Sequence, residues 1–376
     1  MITHDVAVVG AGLAGLQCAR LLASRGLRVL LIDRKPSLTT RVHTTGIFVR
    51  KTWEDFRLPD EQLGEAIRDV HLYSPAGRQM HLTASHDEFR VGRMGWLYLY
   101  LLEQCSRAGV QWMPSTRLVE SEENAITVER NGHRARIGVS YVVGADGARS
   151  LVARLHGLDT NREMLVGVED VVPPVSDRPA LHCWLDPRLA PGYIGWVATD
   201  GEEAHVGVAG YRERFDPLTA LSALRARVPF TLGKTIERRG GLIPVGGILR
   251  RLANKRALLV GDAAGAVSPL TAGGLDAALR LSTFAADVLV AHLGGNREAL
   301  PQYTGDRFRA RFLTRRWMRH ALRAFENPLA MELACAFLRT PPMRAFAEHV
   351  FFSRGSFPDV QFVPAPGAAM RPVTPA

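Results

Sequence analysis

Three glycine-containing turns, each with an aspartate close by, are the parts of this chain whose residue types and spacing suggest chemistry. They are "GAGLAG" at 10–15 with Asp33 downstream, "GADGARS" at 144–150, and "GDAAGAVSPLTAGG" at 261–274. Small residues let a large ligand approach the backbone, and a carboxylate can accept hydrogen bonds from its hydroxyl groups. The sequence shows no Ser-His-Asp or metal-ligand constellation. We therefore expect a bound cofactor to carry the chemistry.

The first turn lies in a predicted strand–helix–strand unit, with strand "DVAVV" at 5–9, helix "LQCARLLASRG" at 16–26 and strand "LRVLLID" at 27–33. Its three glycines have the spacing of a dinucleotide-binding fingerprint. Gly10 permits a tight turn, Gly12 lets a pyrophosphate approach, and Gly15 lets helix and strand pack closely. Leu13 and Ala14 lie where the helix N-terminus would offer N–H groups to phosphates.

Asp33 ends the second predicted strand, where its carboxylate can accept hydrogen bonds from ribose hydroxyls. The acid argues against a 2′-phosphate at this position, although the adjacent Arg34 weakens that inference. This fingerprint alone leaves NAD and FAD equally open.

The two later turns favour FAD. Together with the first, they resemble in order and spacing the three signatures of flavoproteins with the para-hydroxybenzoate hydroxylase fold, over about residues 1–300. The resemblance implies an α/β (α+β) chain with a Rossmann-like FAD-binding domain and parallel sheet, an inserted antiparallel-sheet substrate domain and a helical C-terminal region. It places these further residues at the cofactor: Arg41, Gly46, Arg93, Asp146, Gly147, Gly261, Asp262, Ala263, Pro269, Gly273, Gly274 and Leu275.

The resemblance also gives several of these residues a role. Asp262 would bind a ribityl hydroxyl, and Ala263 would be small to avoid the cofactor. The helix after Pro269 would point its N-terminus, with Gly273, Gly274 and Leu275, at the flavin O2 region, where the negative charge of reduced flavin gathers. Arg93 would lie along the flavin, Arg41 would bind flavin or pyrophosphate, and Gly46 would lie close to the ring.

The predicted domains interleave along the chain. The FAD-binding domain takes residues 1–66, 90–165 and 240–300, and the substrate domain takes 67–89 and 166–239. A hairpin is expected at 67–84 and three strands at 180–211. A helical region follows at 301–363, and the Pro/Ala-rich tail 364–376 is expected to be disordered.

Within this fold, "PLTAGGLDAALRLSTFAADVL", "HLYSPAGR" and "PGYIGWVATDGEEAHVGVAG" resemble the geranylgeranyl reductase branch. The resemblance implies hydride transfer from reduced flavin to a C=C bond of an apolar, isoprenoid or lipid-like substrate. Tyr193 or Trp196 would line the substrate trough, and the Tyr193 phenol would donate a proton. In departure from the branch, Ile194 replaces an aromatic residue, Val197-Ala198 replaces Phe-Pro, and the loop at 43–50 lacks a cysteine.

Two alternatives remain open on the sequence. One is an FAD-dependent aromatic hydroxylase, which shares all three signatures, and the other is a flavin electron carrier without a turnover substrate. A halogenase is disfavoured because its paired tryptophan motif is absent. The chain shows a single dinucleotide fingerprint, so the electron donor could be transiently bound NAD(P)H, a reduced protein or a quinone.

The content of 47% apolar and 22% charged residues is that of a globular protein. Four scattered cysteines, without metal-type or redox-type spacing, favour a cytoplasmic location. The formal net charge is +10, yet no nucleic-acid-binding module is recognisable. Residues 307–325 are rich in arginine and contain no acid. On a helix, Trp317, Met318, Ala321, Leu322 and Phe325 would form a stripe with Arg315, Arg316, Arg319 and Arg323 beside or opposite it. This pattern predicts either packing on the FAD domain or peripheral contact with an anionic membrane.

Overall fold

The structure, a computed structural model, describes residues 3–175, 178–323 and 325–352, without the side chains of 310, 311 and 321–323. The predicted disordered tail lies outside this range. The strands are β1 His4–Val9, β2 Val29–Ile32, β3 Ile47–Val49, β4 Asp69–Tyr73, β5 Gln79–Thr83, β6 Phe89–Val91, β7 Gln111–Met113, β8 Thr116–Ser121, β9 Ala125–Arg130, β10 His133–Gly144, β11 Met164–Val172, β12 Ala180–Trp184, β13 Gly195–Thr199, β14 Ala204–Gly210, β15 Glu237–Pro244 and β16 Ala257–Leu259. The α-helices are α1 Leu13–Ala23, α2 Arg50–Phe56, α3 Met94–Arg107, α4 Leu151–Leu155, α5 Pro217–Arg225, α6 Leu275–Leu293, α7 Arg309–Arg323, α8 Pro328–Leu338 and α9 Pro341–Phe352.

The first sheet has the order β7-β2-β1-β10-β9-β8, and β16 also pairs with β10. Strands β7, β2, β1, β16 and the second half of β10 are parallel, whereas β8 and β9 form an antiparallel extension. The carboxyl ends of β1, β10 and β16 therefore meet at one edge, and each runs into one of the three predicted turns.

Helix α1 is buried almost throughout because it packs between this sheet and α6. Leu16, Cys18, Ala19 and Leu22 are fully buried, which leaves no room for polar residues on these positions. The Ser282 hydroxyl of α6 donates to the Ala14 carbonyl over 2.9 Å. This packing fixes the first turn against the third.

The second sheet has the order β15-β11-β14-β13-β12-β4-β5 and is antiparallel except for the β4/β12 pair. The predicted hairpin at 67–84 and the three strands predicted at 180–211 are confirmed as β4–β5 and β12–β14. Strand β15 continues to Pro244, so the predicted domain boundary at residue 240 falls inside it. The α/β fold class, with one parallel and one antiparallel sheet, is confirmed.

One face of the second sheet packs on α5, with Val172, Val206 and Leu224 in its core. The other face is lined by apolar side chains that pack against the small β3/β6 sheet and the C-terminal helices. They include Val70, Leu72, Leu82, Leu181 and Ala198. In the described part of the chain, no helix is both long and apolar enough to cross a membrane.

Candidate active site

The first turn needs glycine at two positions because of close backbone contacts. Gly10 has a φ of +104°, and a Cβ there would lie 2.3 Å from the Ala145 oxygen. A Cβ on Gly15 would lie 1.8 Å from the Gly10 oxygen. By contrast, a Cβ on Gly12 would meet no atom within 4 Å. The space over Gly12, at the N-cap of α1, is open for a ligand.

Asp33 follows β2, as predicted, and holds the first turn in place. Its Oδ2 accepts from the Ala11 N–H at 2.7 Å, and its Oδ1 accepts from the Lys35 N–H at 2.8 Å. A carboxylate has about four acceptor sites, so both oxygens can still receive a ligand hydroxyl. Arg34 is exposed beside it.

The second turn is organised by Asp146. Its Oδ2 accepts from the N–H groups of Leu151 and Val152 at 2.6 and 3.1 Å, which caps α4. Its Oδ1 is buried and has no hydrogen-bond partner in the described chain. Gly147 follows with a φ of +79°. The Asp146 Cα lies 3.1 Å from a Cβ built on Gly10, so this carboxyl stands beside the nucleotide turn.

The third turn contains the half-buried Asp262 in a short 3-10 helix, 261–264. Burial raises the pKa of the Asp262 carboxyl to about 6. Gly261, with a φ of +58°, lies against Ala14, and Ala263 is 1% exposed. These close contacts explain the small residues of the motif as packing against α1, in addition to any contact with the cofactor.

Asn161, which the sequence reading missed, ties the second and third turns together. Its amide donates to the Ala148 oxygen over 3.1 Å and to the Asp262 oxygen over 2.8 Å. Its role depends on folding because it lies in an irregular segment between α4 and β11, 13 residues from Ala148 but 101 residues from Asp262. Nothing in the sequence motifs marked it.

The loop after the third turn leads into α6, with Gly274 at the N-cap and Leu275 as the first helical residue. Arg319 of α7 donates to the Pro269 carbonyl over 2.9 Å, and Arg315 donates to the Ser268 hydroxyl oxygen over 3.0 Å. Arg319 is only 3% exposed. Of the arginines predicted beside the apolar stripe of 307–325, Arg319 thus faces neither solvent nor lipid headgroups, because its guanidinium binds this loop.

Tyr193 and Trp196 lie together on the second sheet, with ring centroids 6.4 Å apart. The Tyr193 hydroxyl donates to the Thr271 carbonyl over 2.6 Å, which joins the sheet to the loop before α6. Burial raises its pKa well above the usual value. A raised pKa makes this phenol a poorer proton donor. Its role as the proton source stays a prediction, and the structure gives it a clear positioning contact.

Trp196 occupies the space beside Gly207 of β14, since a Cβ on that glycine would come within 2.2 Å of the indole. The indole N–H donates to Glu169 Oε2 over 3.2 Å. The absence of a side chain on Gly207 thus leaves room for the indole ring, and the buried Glu169 carboxylate fixes its N–H group.

Arg93 precedes α3 and forms ion pairs with three carboxylates, those of Asp200, Glu202 and Glu203. The closest, Asp200 Oδ2, is 2.7 Å from its Nη1. Its contact with flavin stays a prediction, as does that of the exposed Arg41, whose φ is +52°. Gly46 also needs to be glycine, since its φ is +90° and a Cβ would lie 2.7 Å from Met94.

The comparisons with known proteins follow this geometry. Residues 3–217 match the family model described as FAD binding domain. The chain belongs to this FAD-binding family. FAD is its cofactor, and the open space over Gly12 and the unpartnered Asp146 Oδ1 fit such a ligand. The protein is therefore an FAD-dependent oxidoreductase, and the cofactor carries the chemistry.

Several relatives are reductases by name. The chain is 28% identical over 302 residues to a digeranylgeranylglycerophospholipid reductase of Methanocella arvoryzae, covering 76% of this chain and 77% of the relative. A reductase of the same name from Methanocaldococcus jannaschii is 28% identical over 305 residues, covering 76% of each.

Solved structures share the fold. A geranylgeranyl bacteriochlorophyll reductase-like protein from Thermoplasma acidophilum superposes with a TM-score of 0.81 at 19% identity, covering 94% of this chain and 98% of that one. The p-nitrophenol 4-monooxygenase of Pseudomonas putida gives a TM-score of 0.65 at 18% identity, covering 93% and 94%. Reductases and monooxygenases thus share this architecture, and identities this low show the fold alone.

Proposed function

We propose that this protein reduces C=C bonds of an apolar, isoprenoid or lipid-like substrate. The observation that carries the proposal is the alignment of three quarters of the chain with relatives named digeranylgeranylglycerophospholipid reductase. The monooxygenases resemble it in fold only.

Bound FAD supplies the two electrons of the reduction as a hydride. The chain positions the cofactor through the three turns and the N-terminus of α6, where Gly274 caps the helix. Tyr193 and Trp196 lie side by side, with ring centroids 6.4 Å apart, and we expect them to line the substrate side. That surface excludes water and orients the chain of the substrate.

The deciding experiment is an anaerobic single turnover. Protein reduced with dithionite is mixed with a geranylgeranyl-bearing lipid, and flavin reoxidation and saturated product are followed together. One saturated bond per flavin supports the proposal. Flavin that is reduced stoichiometrically but stays reduced, with the lipid unchanged, contradicts it and favours the electron-carrier alternative. A hydroxylated aromatic product formed only with oxygen would favour the hydroxylase. Parallel reductions with NADH, NADPH and a reduced ferredoxin identify the electron donor, which stays a prediction.

We propose further that the protein works at an anionic membrane surface through α7 and α8. Trp317 is 73% exposed on α7, and Leu329, Leu333 and Phe337 of α8 are 60–76% exposed. The three α8 residues are spaced by four and so share one face of the helix. Of the stripe predicted from the sequence, Ala321 and Leu322 have side chains outside the description. The net charge of +10 favours association with anionic headgroups, although Arg315, Arg316 and Arg319 of α7 already have partners within the protein.

Flotation with liposomes tests this contact. Binding to vesicles with phosphatidylglycerol that fades as salt rises supports it. Recovery of the protein in the unbound fraction with both anionic and neutral vesicles contradicts it.

A further inference from the structure

A chain of buried polar groups crosses the second sheet beneath Trp196, and neither the FAD motifs nor the substrate surface accounts for it. Glu169 of β11 lies at its centre and is 5% exposed at the side chain. Its Oε2 accepts from the Thr45 hydroxyl and the Trp196 indole, and its Oε1 lies 3.2 Å from His205 Nδ1 of β14. Three strands and one loop thus place polar groups at one buried point.

His205 stands between carboxylates on both sides of its ring. Nδ1 faces Glu169, while Nε2 lies 3.7 Å from Glu203 Oε2 and 4.0 Å from Asp200 Oδ2. The His205 side chain is 2% exposed, and Nε2 makes no hydrogen bond with the described residues. Imidazole can receive a proton on one nitrogen and release one from the other. The ring is therefore placed to pass protons between its two neighbours.

The two ends of this chain lie in different surroundings. The Glu203 side chain is 34% exposed and reaches solvent, whereas Thr45 belongs to the loop that precedes β3. The loop lies against the FAD-binding domain: a Cβ on Gly46 would lie 2.7 Å from Met94 of α3, and Arg239 donates to the Thr44 oxygen over 3.5 Å. The polar chain thus leads from the surface to the side of the sheet that faces the FAD-binding region.

The groups that surround Glu169 favour its carboxylate form. Burial alone would raise the pKa of Glu169, but the hydrogen bonds from His205 and Thr45, with Arg239 at 3.8 Å, hold it below its usual range. Arg93 holds Asp200 and lies 3.6 Å from Glu203. A low pKa makes protonated Glu169 a strong acid that returns quickly to the carboxylate. An apolar cluster would fill the same space at lower desolvation cost, which argues for a use of these charges.

We propose that Glu203, His205, Glu169 and Thr45 form a proton relay that supplies the second hydrogen of the double-bond reduction. The inference rests on the proposed function. A hydride from reduced FAD forms one C–H bond and carries both electrons, so FAD is oxidised and the double bond is reduced. Glu203, supplied from solvent, protonates His205 Nε2 as Nδ1 passes its proton to the Glu169 carboxylate. Glu169 passes this proton to the Thr45 oxygen, and the Thr45 O–H bond breaks as the second C–H bond forms.

The test uses full-length FAD-loaded protein and two conservative variants, His205→Asn and Glu169→Gln, which keep hydrogen-bonding capacity but interrupt proton transfer. In the anaerobic single turnover, both should lower the rate of saturated product about 100-fold. Their FAD affinity should stay within about twofold of the unmodified protein. The matched control is His182→Asn, which changes a buried histidine on the same sheet that contacts Tyr73 instead. Its rate should stay within about threefold.

A structural role is separated from a relay by rescue. Imidazole added to a His205→Gly variant should restore a large part of the rate, with a pH profile that follows the added base. Rates of His205→Asn within threefold of the unmodified protein, or an equal loss in His182→Asn, would overturn the relay.

A readout that needs no turnover distinguishes failure of the relay from failure of the proposed function. If the unmodified protein makes no saturated product, the proposed function fails by itself. Nitrogen NMR of the histidine rings then judges the relay. The His205 Nδ1 should carry a proton hydrogen-bonded to Glu169, and a ring protonated only on Nε2 overturns the proposal because Glu169 would receive nothing.

Discussion

The FAD-binding turns and the inner side of the second sheet are both crowded, yet they are built in opposite ways. The turns achieve close approach by omitting side chains, as Gly10 and Gly15 show, and they bind through backbone groups. The second sheet fills its interior with charged and aromatic side chains that contact one another across strands, such as Glu169, Trp196 and His205. In the first region, Gly10 and Gly15 leave no space for a Cβ. In the second region, the packing depends on contacts between side chains of different strands.

The largest effect should come from the first turn. Gly15→Ala places a Cβ 1.8 Å from the Gly10 oxygen, so the backbone must move. We expect a loss of about 3 kcal/mol or more in the free energy of unfolding, together with loss of bound FAD. Urea unfolding monitored by circular dichroism measures the stability of the variant.

Gly12→Ala is the matched control, because a Cβ there meets no protein atom within 4 Å. It should leave the unfolding free energy of the apo-protein within about 0.5 kcal/mol of the unmodified value. FAD affinity should nevertheless fall about 10- to 100-fold, since the methyl group occupies the space for the pyrophosphate. Equal stability losses in the two variants would refute the difference drawn between these glycines.

Asp262→Ala tests the carboxylate of the third turn. Loss of an acceptor for a ribityl hydroxyl should weaken FAD binding about 10- to 100-fold, or about 1–3 kcal/mol, while the apo-protein stays folded. Flavin fluorescence quenching measures the affinity. An affinity equal to that of the unmodified protein would remove Asp262 from the cofactor site.

The same carboxyl predicts a pH dependence. The folded-state pKa is raised from 3.8 to about 6, so its contribution to apo-protein stability is full below pH 3.8 and is lost as the pH rises through 6. Relative to Asp262→Asn, the unmodified apo-protein should therefore lose about 2–3 kcal/mol between pH 4 and pH 7. Denaturant unfolding of both proteins across this range measures the difference, and parallel curves would contradict the raised pKa.

On the second sheet, Gly207→Ala should separate substrate handling from cofactor binding. The new methyl group must displace Trp196, which costs about 1–3 kcal/mol of stability. Single-turnover product formation should fall at least about tenfold, with FAD affinity unchanged within about twofold. Gly241→Ala on β15 is a suitable control, because a Cβ there makes only ordinary contacts, the nearest at 3.5 Å. A large loss of FAD in Gly207→Ala would show that the two regions are not separable.

The smallest effect concerns the exposed helix face. Leu329→Ser with Leu333→Ser should leave folding and FAD binding unchanged and weaken association with anionic vesicles about tenfold. Leu218→Ser, on α5, is the matched control because Leu218 is also more than half exposed. Equal vesicle binding by the double variant and the control would exclude the α8 face as the contact.

Much of the FAD-binding region could be predicted from the sequence, because its rules are local. The strand–turn–helix–strand unit, Asp33 at the end of β2 and the helix that begins at Leu275 all depend on residues within about twenty positions of one another. Helix α1 begins at Leu13 and not at residue 16, a shift that arises because its first turn packs on α6. The antiparallel strands were equally accessible, since alternation and Pro/Gly turns mark them.

The partners of side chains could not be predicted in the same way. Asn161 joins two turns and Arg319 enters the loop at Pro269, although nothing in the neighbouring sequence distinguishes either residue from a surface side chain. The sequence by itself determined the backbone turns, because glycines at this spacing are needed where the backbone adopts a positive φ or where two backbone segments come into close contact. Only the tertiary structure decided that Glu169, His205 and Thr45 meet. Their contacts span 36 and 124 residues along the chain. The pairing of β11 with β14 and the docking of the loop before β3 decide which of many polar residues become neighbours.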